Sequence, residues 1–534
     1  MNMAVQSRVG GSTGDPFPCA FLVLAMLIPA VAPAQFTTWT ENGSVTITGY
    51  TDTVSTVTIP STIGNLPVTV IATQAFYDNT NVTSITIPGS VSNIQDYAFY
   101  GCDNLASITF TGNGLASIGN YSFAFLDSLS SFTLPSTVNS MGQYTFYNSY
   151  SLTDFTIQGG ATTLGPYALC NCFELENLEI PSTTTAIGND AFLGCYGLAG
   201  IIVDTGNPNY TSVNGVLFNK NLTTLILYPP AGLATSYSIS NGVTELADGA
   251  FQGNDSLTNI TVPDTVTKIG SYAFFGDIFT GICLPDCITC IGDSAFAGSA
   301  ITRMRLPREL IEVGNYEFYN CASLSDVEIP SRVTTIGSDA FAFCPSLVDI
   351  YIPGTVTNIG EQAFYDSGVA SVTIGQGVQT IGLEAFYDCS ALNHIAIPSS
   401  VTTLGNDAFA YCPALTAVYF GGNVPAGTSS AFDDDTATFY YLPGTTGWGS
   451  LSGFQTELWN VKIIHDSNFG LRGGEFGFDI SGNNNLSFSV EASTSLSAPQ
   501  WRQVSTLTLS GASTYFTDPD WKLYSNRFYR VNFP

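Results

Sequence analysis

Histidine is nearly missing from this chain, with two in 534 residues. That leaves little for imidazole catalysis or histidine-rich metal sites. Basic residues are scarce too: 13 Lys and Arg stand against 42 Asp and Glu, for a formal net charge of −29. Neutralising phosphate needs Lys and Arg, so general nucleic-acid binding is excluded. The same deficit disfavours docking on anionic lipid. Beyond the first 34 residues no stretch is apolar enough to cross a bilayer, so no membrane insertion of the mature chain is expected. The His-Glu-x-x-His pattern and the Gly-rich phosphate loop are absent. The chain is therefore read as non-enzymatic, with no cofactor. Apolar residues make up 45% of it, enough to build a large core.

Residues 20–31 form an apolar run of about a dozen, with Arg8 upstream and Ala32-Pro33-Ala34 behind it. This is the pattern of a secretory signal over 1–34, too short to span a membrane. Export to the outside of the cell, after cleavage near Ala34, is the expectation.

Self-similarity decides the fold. The unit reads Leu-x-x-Ile-x-Ile-Pro-x-x-Val-x-x-Ile-Gly-x-x-Ala-Phe-x-x-Cys. Its Phe recurs at Phe76, Phe99, Phe123, Phe146, Phe192, Phe251, Phe274, Phe296, Phe318, Phe341, Phe364, Phe386, Phe409 and Phe432, with Leu169 in the same place once. Steps are 22 to 24 residues, except 59 between Phe192 and Phe251. In one unit Leu257, Ile260 and Val262 line one side of a short strand that Pro263 ends. Val266, Ile269, Ala273 and Phe274 return along the opposite wall. Neither half can bury its apolar face alone, so the units must stack, joining their strands into a parallel sheet around one continuous core.

These residues resemble the BspA-type leucine-rich repeat, also called the treponemal type, over about residues 54–443. The resemblance implies a mainly β solenoid, a curved leucine-rich-repeat array with a parallel sheet. It also implies a secreted or surface-exposed bacterial protein, with adhesion or ligand binding as its role.

Composition divides the rest. Residues 35–53 carry an Asn42-Gly43 hairpin signal and read as an N-terminal β cap ahead of a first repeat block, 54–203. Residues 204–249, with a second hairpin signal at Asn214-Gly215, read as a β-rich variant unit. A second block covers 250–443, followed by a C-terminal cap and linker over 444–465. Residues 466–534 lose the period and show short alternating strands, the mark of a small β-sandwich-like domain. They hold six acidic and five basic residues, so nearly all the excess negative charge lies in the repeats.

Cys102, Cys172, Cys195, Cys321, Cys344, Cys389 and Cys412 all fall three residues after the register position, where other units have Asn79, Ser149, Asn254 or Asp277. The shared job is read as turn capping with burial, by free thiols because stacked side chains point in parallel, with disulfides across the adjacent-coil pairs Cys172/Cys195, Cys321/Cys344 and Cys389/Cys412 as the alternative. Cys283, Cys287 and Cys290 cross a strand and its turn, and read as a local disulfide or solvent thiols.

The outward positions of the repeat strands are mostly Thr and Ser, as at Thr86, Thr109 and Thr133. Three consecutive units differ. Arg303 and Arg305 share one strand, Asp326 and Glu328 the next, Asp349 and Tyr351 the third, with His394 and Tyr419 continuing the face. The register places Arg303, Asp326 and Asp349 in one lateral row, and Arg305, Glu328 and Tyr351 in another. Two readings follow: a cross-strand ion ladder, or a recognition surface for an extracellular protein or glycan. On the second, the chain is an exported scaffold for adhesion or ligand capture. The alternative is a structural cell-envelope or matrix spacer attached through its C-terminal β domain.

Overall fold

A computed structural model describes residues 35–532, except 161, 434, 435, 483–485, 498 and 510. The expected leader, 1–34, lies outside the described residues. The repeats wind into a β-solenoid whose coils have three walls. The first wall is made by the Leu-x-x-Ile-x-Ile stretch. Ser131–Leu134, Asp154–Ile157, Asn177–Ile180 and Gly200–Val203 form one parallel sheet. Phe132 sits opposite Phe155 and Leu134 opposite Ile157, one repeat further on. Side chains alternate along each strand, so Phe132 and Leu134 point inward while Ser131 and Thr133 face solvent.

The second wall consists of two-residue strands at the Ile-Gly position, among them Asn93–Ile94, Ser117–Ile118, Ser140–Met141 and Thr163–Leu164. They share a nine-stranded sheet with the N-terminal hairpin Phe36–Glu41 and Ser44–Tyr50. Its turn residues Asn42 and Gly43 have φ of 49° and 76°, as a two-residue hairpin loop requires. Helix is almost absent among the described residues, with one α-turn at Thr428–Ala431.

The third wall carries the spine Phe in a turn whose backbone amides point alternately two ways. Ala98 and Tyr100 donate to Gln95 and Tyr97 inside the turn. Tyr97, Phe99 and Gly101 donate instead to Asn120, Ser122 and Ala124 of the next coil, at 2.9, 2.8 and 3.0 Å. The alternation needs a left-handed residue on each side of the Phe. Tyr97 and Gly101 have φ of 57° and 68°, and Tyr144 and Asn148 have 56° and 58°. Behind this ladder the spine rings stack almost parallel, with centroids 4.8 to 5.6 Å apart.

The cysteine column does what its place suggests, and more. The seven side chains are buried free thiols. Each Sγ donates to a spine carbonyl of the preceding coil, as Cys102 does to Phe76 at 3.0 Å and Cys344 to Phe318 at 3.1 Å. Ser149 does the same to Phe123, whereas Asn79 turns its carboxamide oxygen to the amides of Asn81 and Val82.

One expectation fails. The core is not continuous but falls into two clusters, one reaching from Phe36 to Leu227 and the other from Val216 to Trp448. The divider is the strand Val216–Asn219 of the variant unit. Leu217 belongs to the first cluster, Val216 and Phe218 to the second. Alternate residues of a strand face opposite ways, so one strand closes two cores. Beyond it Tyr228 starts a second ring stack, 5.4 Å from Phe251.

The C-terminal residues fold as a small antiparallel β-sandwich. One sheet contains Lys462–Ile464, Gly470–Arg472, Glu475–Ser481 and Ser513–Asp518; the other contains Ser487–Ser493, Arg502–Thr508 and Phe528–Asn532. Its core merges with Tyr419 and Tyr440 of the array, and the Tyr419 hydroxyl accepts the Ser487 amide at 3.4 Å.

Phe341 is wholly buried between Phe318 and Phe364. Phe341→Ala should cost about 3–5 kcal/mol, read as a lower denaturation midpoint of the second block. A pH effect follows from Glu317, which takes the place Ala holds in most units and is fully buried. One of its oxygens accepts the Gly314 amide at 2.6 Å, and the other has no partner among the described residues. Burial pushes its carboxyl from 4.5 up to about 8. The folded state then holds a proton that the unfolded state has released. Stability is full below about 4.5 and falls as pH rises towards 8, at up to about 1.4 kcal/mol per pH unit. Asp277, buried and raised for the same reason, adds with the same sign. Urea denaturation across this range should show the decline, and Glu317→Ala should flatten it in part.

Candidate recognition surface

The three chemically rich strands are Arg303–Arg305, Asp326–Glu328 and Asp349–Ile352. In each, the middle apolar residue is driven inward: Met304, Val327 and Ile350 are buried. Their neighbours Arg303, Arg305, Asp326, Glu328, Asp349 and Tyr351 are thereby forced outward, all of them exposed. Arg303 lies opposite Asp326 and Arg305 opposite Glu328 in the parallel ladder. The expected rows of three are paired only in their first two members: Asp349 and Tyr351 belong to a separate two-stranded sheet and pair onward with Ser371 and Thr373.

Shared register does not make the two rows alike. Arg305 is held: its Nη2 lies 3.1 Å from Asp286 Oδ1 and its Nε 3.7 Å from Glu328 Oε2. Asp286 also receives Arg308, at 3.4 Å. Arg303 makes no ion pair among the described residues, although Asp326 is its ladder neighbour, so both keep their charge in solvent. Tyr351 is 60% exposed. Exposed pairs of this sort contribute about 0–1 kcal/mol, too little for the patch to be needed for folding. What the strands offer is a guanidinium in fixed position, a second one free to move, carboxylates beside both, and an open phenol.

Two residues expected on this face are placed differently. Tyr419 is 1% exposed, because the C-terminal sandwich covers it. His394 is half-buried against the edge of the Tyr419 ring and hydrogen-bonded to Asn393. Burial lowers its pKa below the ordinary value, favouring the neutral ring. The three clustered cysteines also separate. Cys283 bridges to Thr261 on the first wall, whereas Cys290 lies opposite Lys268 on the second. The thiol of Cys287, between them, donates to Asp264 at 3.1 Å.

A feature not anticipated lies on the third wall. Tyr97, Tyr121, Tyr144 and Tyr167 stack face to face with centroids 5.0, 4.6 and 4.6 Å apart. Each stands two residues before the register position, in the left-handed conformation. The signal was present as a column of Tyr at constant offset from the spine, but nothing in the period says that this column faces outward. At its end the Tyr167 hydroxyl hydrogen-bonds Asp190, and burial pushes the Asp190 carboxyl above its ordinary range.

The fold and its outward columns define a leucine-rich-repeat solenoid. The model of the BspA-type leucine-rich repeat region, in six copies, matches residues 69–199, 233–345 and 311–438, and the chain belongs to that family. Among solved structures, a leucine-rich repeat protein from Eubacterium ventriosum is 25% identical, with a TM-score of 0.54 over 72% of this chain and 95% of that one. A leucine-rich cell surface protein from Faecalibacterium prausnitzii is 26% identical, with a TM-score of 0.44 over 76% and 98%. No curated protein matches the chain.

Proposed function

We propose that this chain is an exported, non-enzymatic scaffold that recognises an extracellular protein or glycan through Arg303, Arg305, Asp326, Glu328, Asp349 and Tyr351. One observation carries the reading. In three successive coils every outward strand position is charged or aromatic, on a wall that elsewhere presents mainly Ser and Thr. These side chains contribute little to the fold, so their chemistry is available to a partner. Arg and Tyr are, with Trp, enriched at binding hot spots, and solenoids offer long surfaces of this kind. Attachment to the cell surface, as an adhesin, fits the family and the N-terminal apolar segment. Among the described residues no helix is long and apolar enough to cross a membrane.

The test is a binding screen of residues 35–534 against extracellular-matrix proteins and glycans. A variant combining Arg303→Ala, Arg305→Ala and Tyr351→Ala should lose the partner at least tenfold while keeping its unfolding midpoint. Unchanged affinity for the partner so found rejects the patch. Export is checked separately. Expressed with residues 1–34 in a bacterial host, the secreted chain should begin at Gln35 on N-terminal sequencing.

A further inference from the structure

The variant unit interrupts the backbone ladder of the third wall. Up to that point each coil donates three amides to the next, ending with Tyr167 to Asn189, Leu169 to Ala191 and Asn171 to Leu193. A single donation resumes with Tyr228 to Ala250 at 2.7 Å, and the full set with Gly249 to Ser271, Phe251 to Ala273 and Gly253 to Phe275. In the last coil before the variant unit, the equivalent amides of Asp190, Phe192 and Gly194 find no acceptor among the described residues. By their place in the ladder they point along the array axis. The space they meet is a cavity of about 350 Å³, walled on the far side by Asp248, Gly249 and Gln252. That is the size of a small-molecule site.

Two acceptors converge in the same space. Gln252 is 8% exposed, yet its Oε1 has no hydrogen-bond partner among the described residues, and neither does the buried Asp190 Oδ1. A Cβ built on Gly249 would lie 3.8 Å from the first oxygen and 3.9 Å from the second. Both are thus aimed at one point beside that glycine. Leaving a buried amide unpaired is destabilising, and most units fill this place without such a group. The mouth is a groove that shares Asn189, Asp190 and Asp248 with the cavity and is flanked by Tyr167 and Tyr272.

This combination selects a ligand chemistry. A row of amides requires oxygen acceptors, while Asp190 and Gln252 require donors a few ångströms away. A hydroxyl does both. The carboxylates of Asp190, Asp248 and Glu245 outnumber the one lysine, Lys268, which Glu245 already pairs at 2.7 Å, so an anion is disfavoured. Tyrosine rings at the rim suit the C–H faces of a sugar. We infer that the cavity at the break in the array binds a neutral saccharide unit, with the Asp190, Phe192 and Gly194 amides donating to its oxygens and Asp190 and Gln252 accepting from its hydroxyls. This site is distinct from the charged strand patch and does not depend on it.

Calorimetric titration of residues 35–534 with glucose, galactose, mannose, N-acetylglucosamine and their disaccharides tests it. At least one should bind with a millimolar or lower Kd. Gln252→Leu should weaken that binding at least tenfold while the unfolding midpoint of the sugar-free protein holds or rises, because an unpaired buried acceptor has gone. Gly249→Ala, which places a methyl group 3.8 and 3.9 Å from the two oxygens and 3.3 Å from Leu193 Cδ1, a side-chain end that must give by a few tenths of an ångström, should block binding. Other coils hold Tyr, Gln or Glu at this left-handed place, so the backbone tolerates a side chain there. The Arg303→Ala, Arg305→Ala, Tyr351→Ala variant should bind the sugar normally, which separates this site from the recognition patch. No binding across the panel at 20 mM overturns the inference, as does binding that both cavity variants leave intact. Tighter binding of an extended peptide, sensitive to Gln252→Leu, would also overturn it and assign the open amides to strand addition.

Discussion

The interaction on which this molecule depends is the hydrogen-bonded ladder that joins one coil to the next. A single coil has an apolar inner face and nothing of its own to cover it. Only the adjacent coil can do so, and only if the backbones meet in register on every wall. On the two strand walls this is ordinary parallel pairing. On the third it requires left-handed residues on both sides of the spine Phe, a conformation unfavourable by about 1–2 kcal/mol for a side-chain-bearing residue. Each such pair frees three amides to bond the next coil, each net bond contributing about 0.5–1.5 kcal/mol. The strained turns persist because the ladder offsets them.

Everything else is arranged in columns by that ladder. Identical positions lie one strand spacing apart, so like stacks on like: Phe on Phe in the core, Tyr on Tyr at the surface, thiol above spine carbonyl. The charged patch is a product of the same rule. Arg303 and Asp326 are neighbours because they share a repeat position, not because charge drew them together, and their side chains accordingly do not meet. Arg305 finds its closest carboxylate, Asp286, off its own column.

Periodicity made a large part of this legible. Phe at a constant offset located the spine, strand alternation located the outward positions, and the cysteines three residues on located a buried capping site. Where the period carried no information, the reading failed. Tyr419 holds the same repeat position as Tyr351, but the sandwich packed over it comes from the aperiodic end of the chain, and its contact with Ser487 crosses 68 residues. The split of the core depends on Leu217 facing one way and Val216 and Phe218 the other. That is a tertiary fact about a strand whose hairpin was visible but whose place between two cores was not. The open amides were hidden for a different reason: backbone donors leave no mark in a sequence.

The two candidate surfaces therefore differ in kind. An unbroken solenoid covers each coil with the next, so it has long walls with shallow polar grooves, such as the one beside Asn93 and Gln95, and pairs its amides to the end. Walls of that sort suit broad, shallow contact with a macromolecule, and the three charged strands are the proposed place for it. A cavity with unpaired donors can form only where a coil is missing its neighbour. The 59-residue step between Phe192 and Phe251 creates that condition once in the array. There the variant unit restores strand pairing and closes both cores, while the third wall stays open beside Asp190 and Gln252. Had the insertion served merely to lengthen the rod, a regular pair of coils would have filled the same span with every amide bonded. Keeping a buried carboxamide and a carboxylate at that opening is costly in a scaffold otherwise built by repetition, and a ligand that satisfies them accounts for the cost.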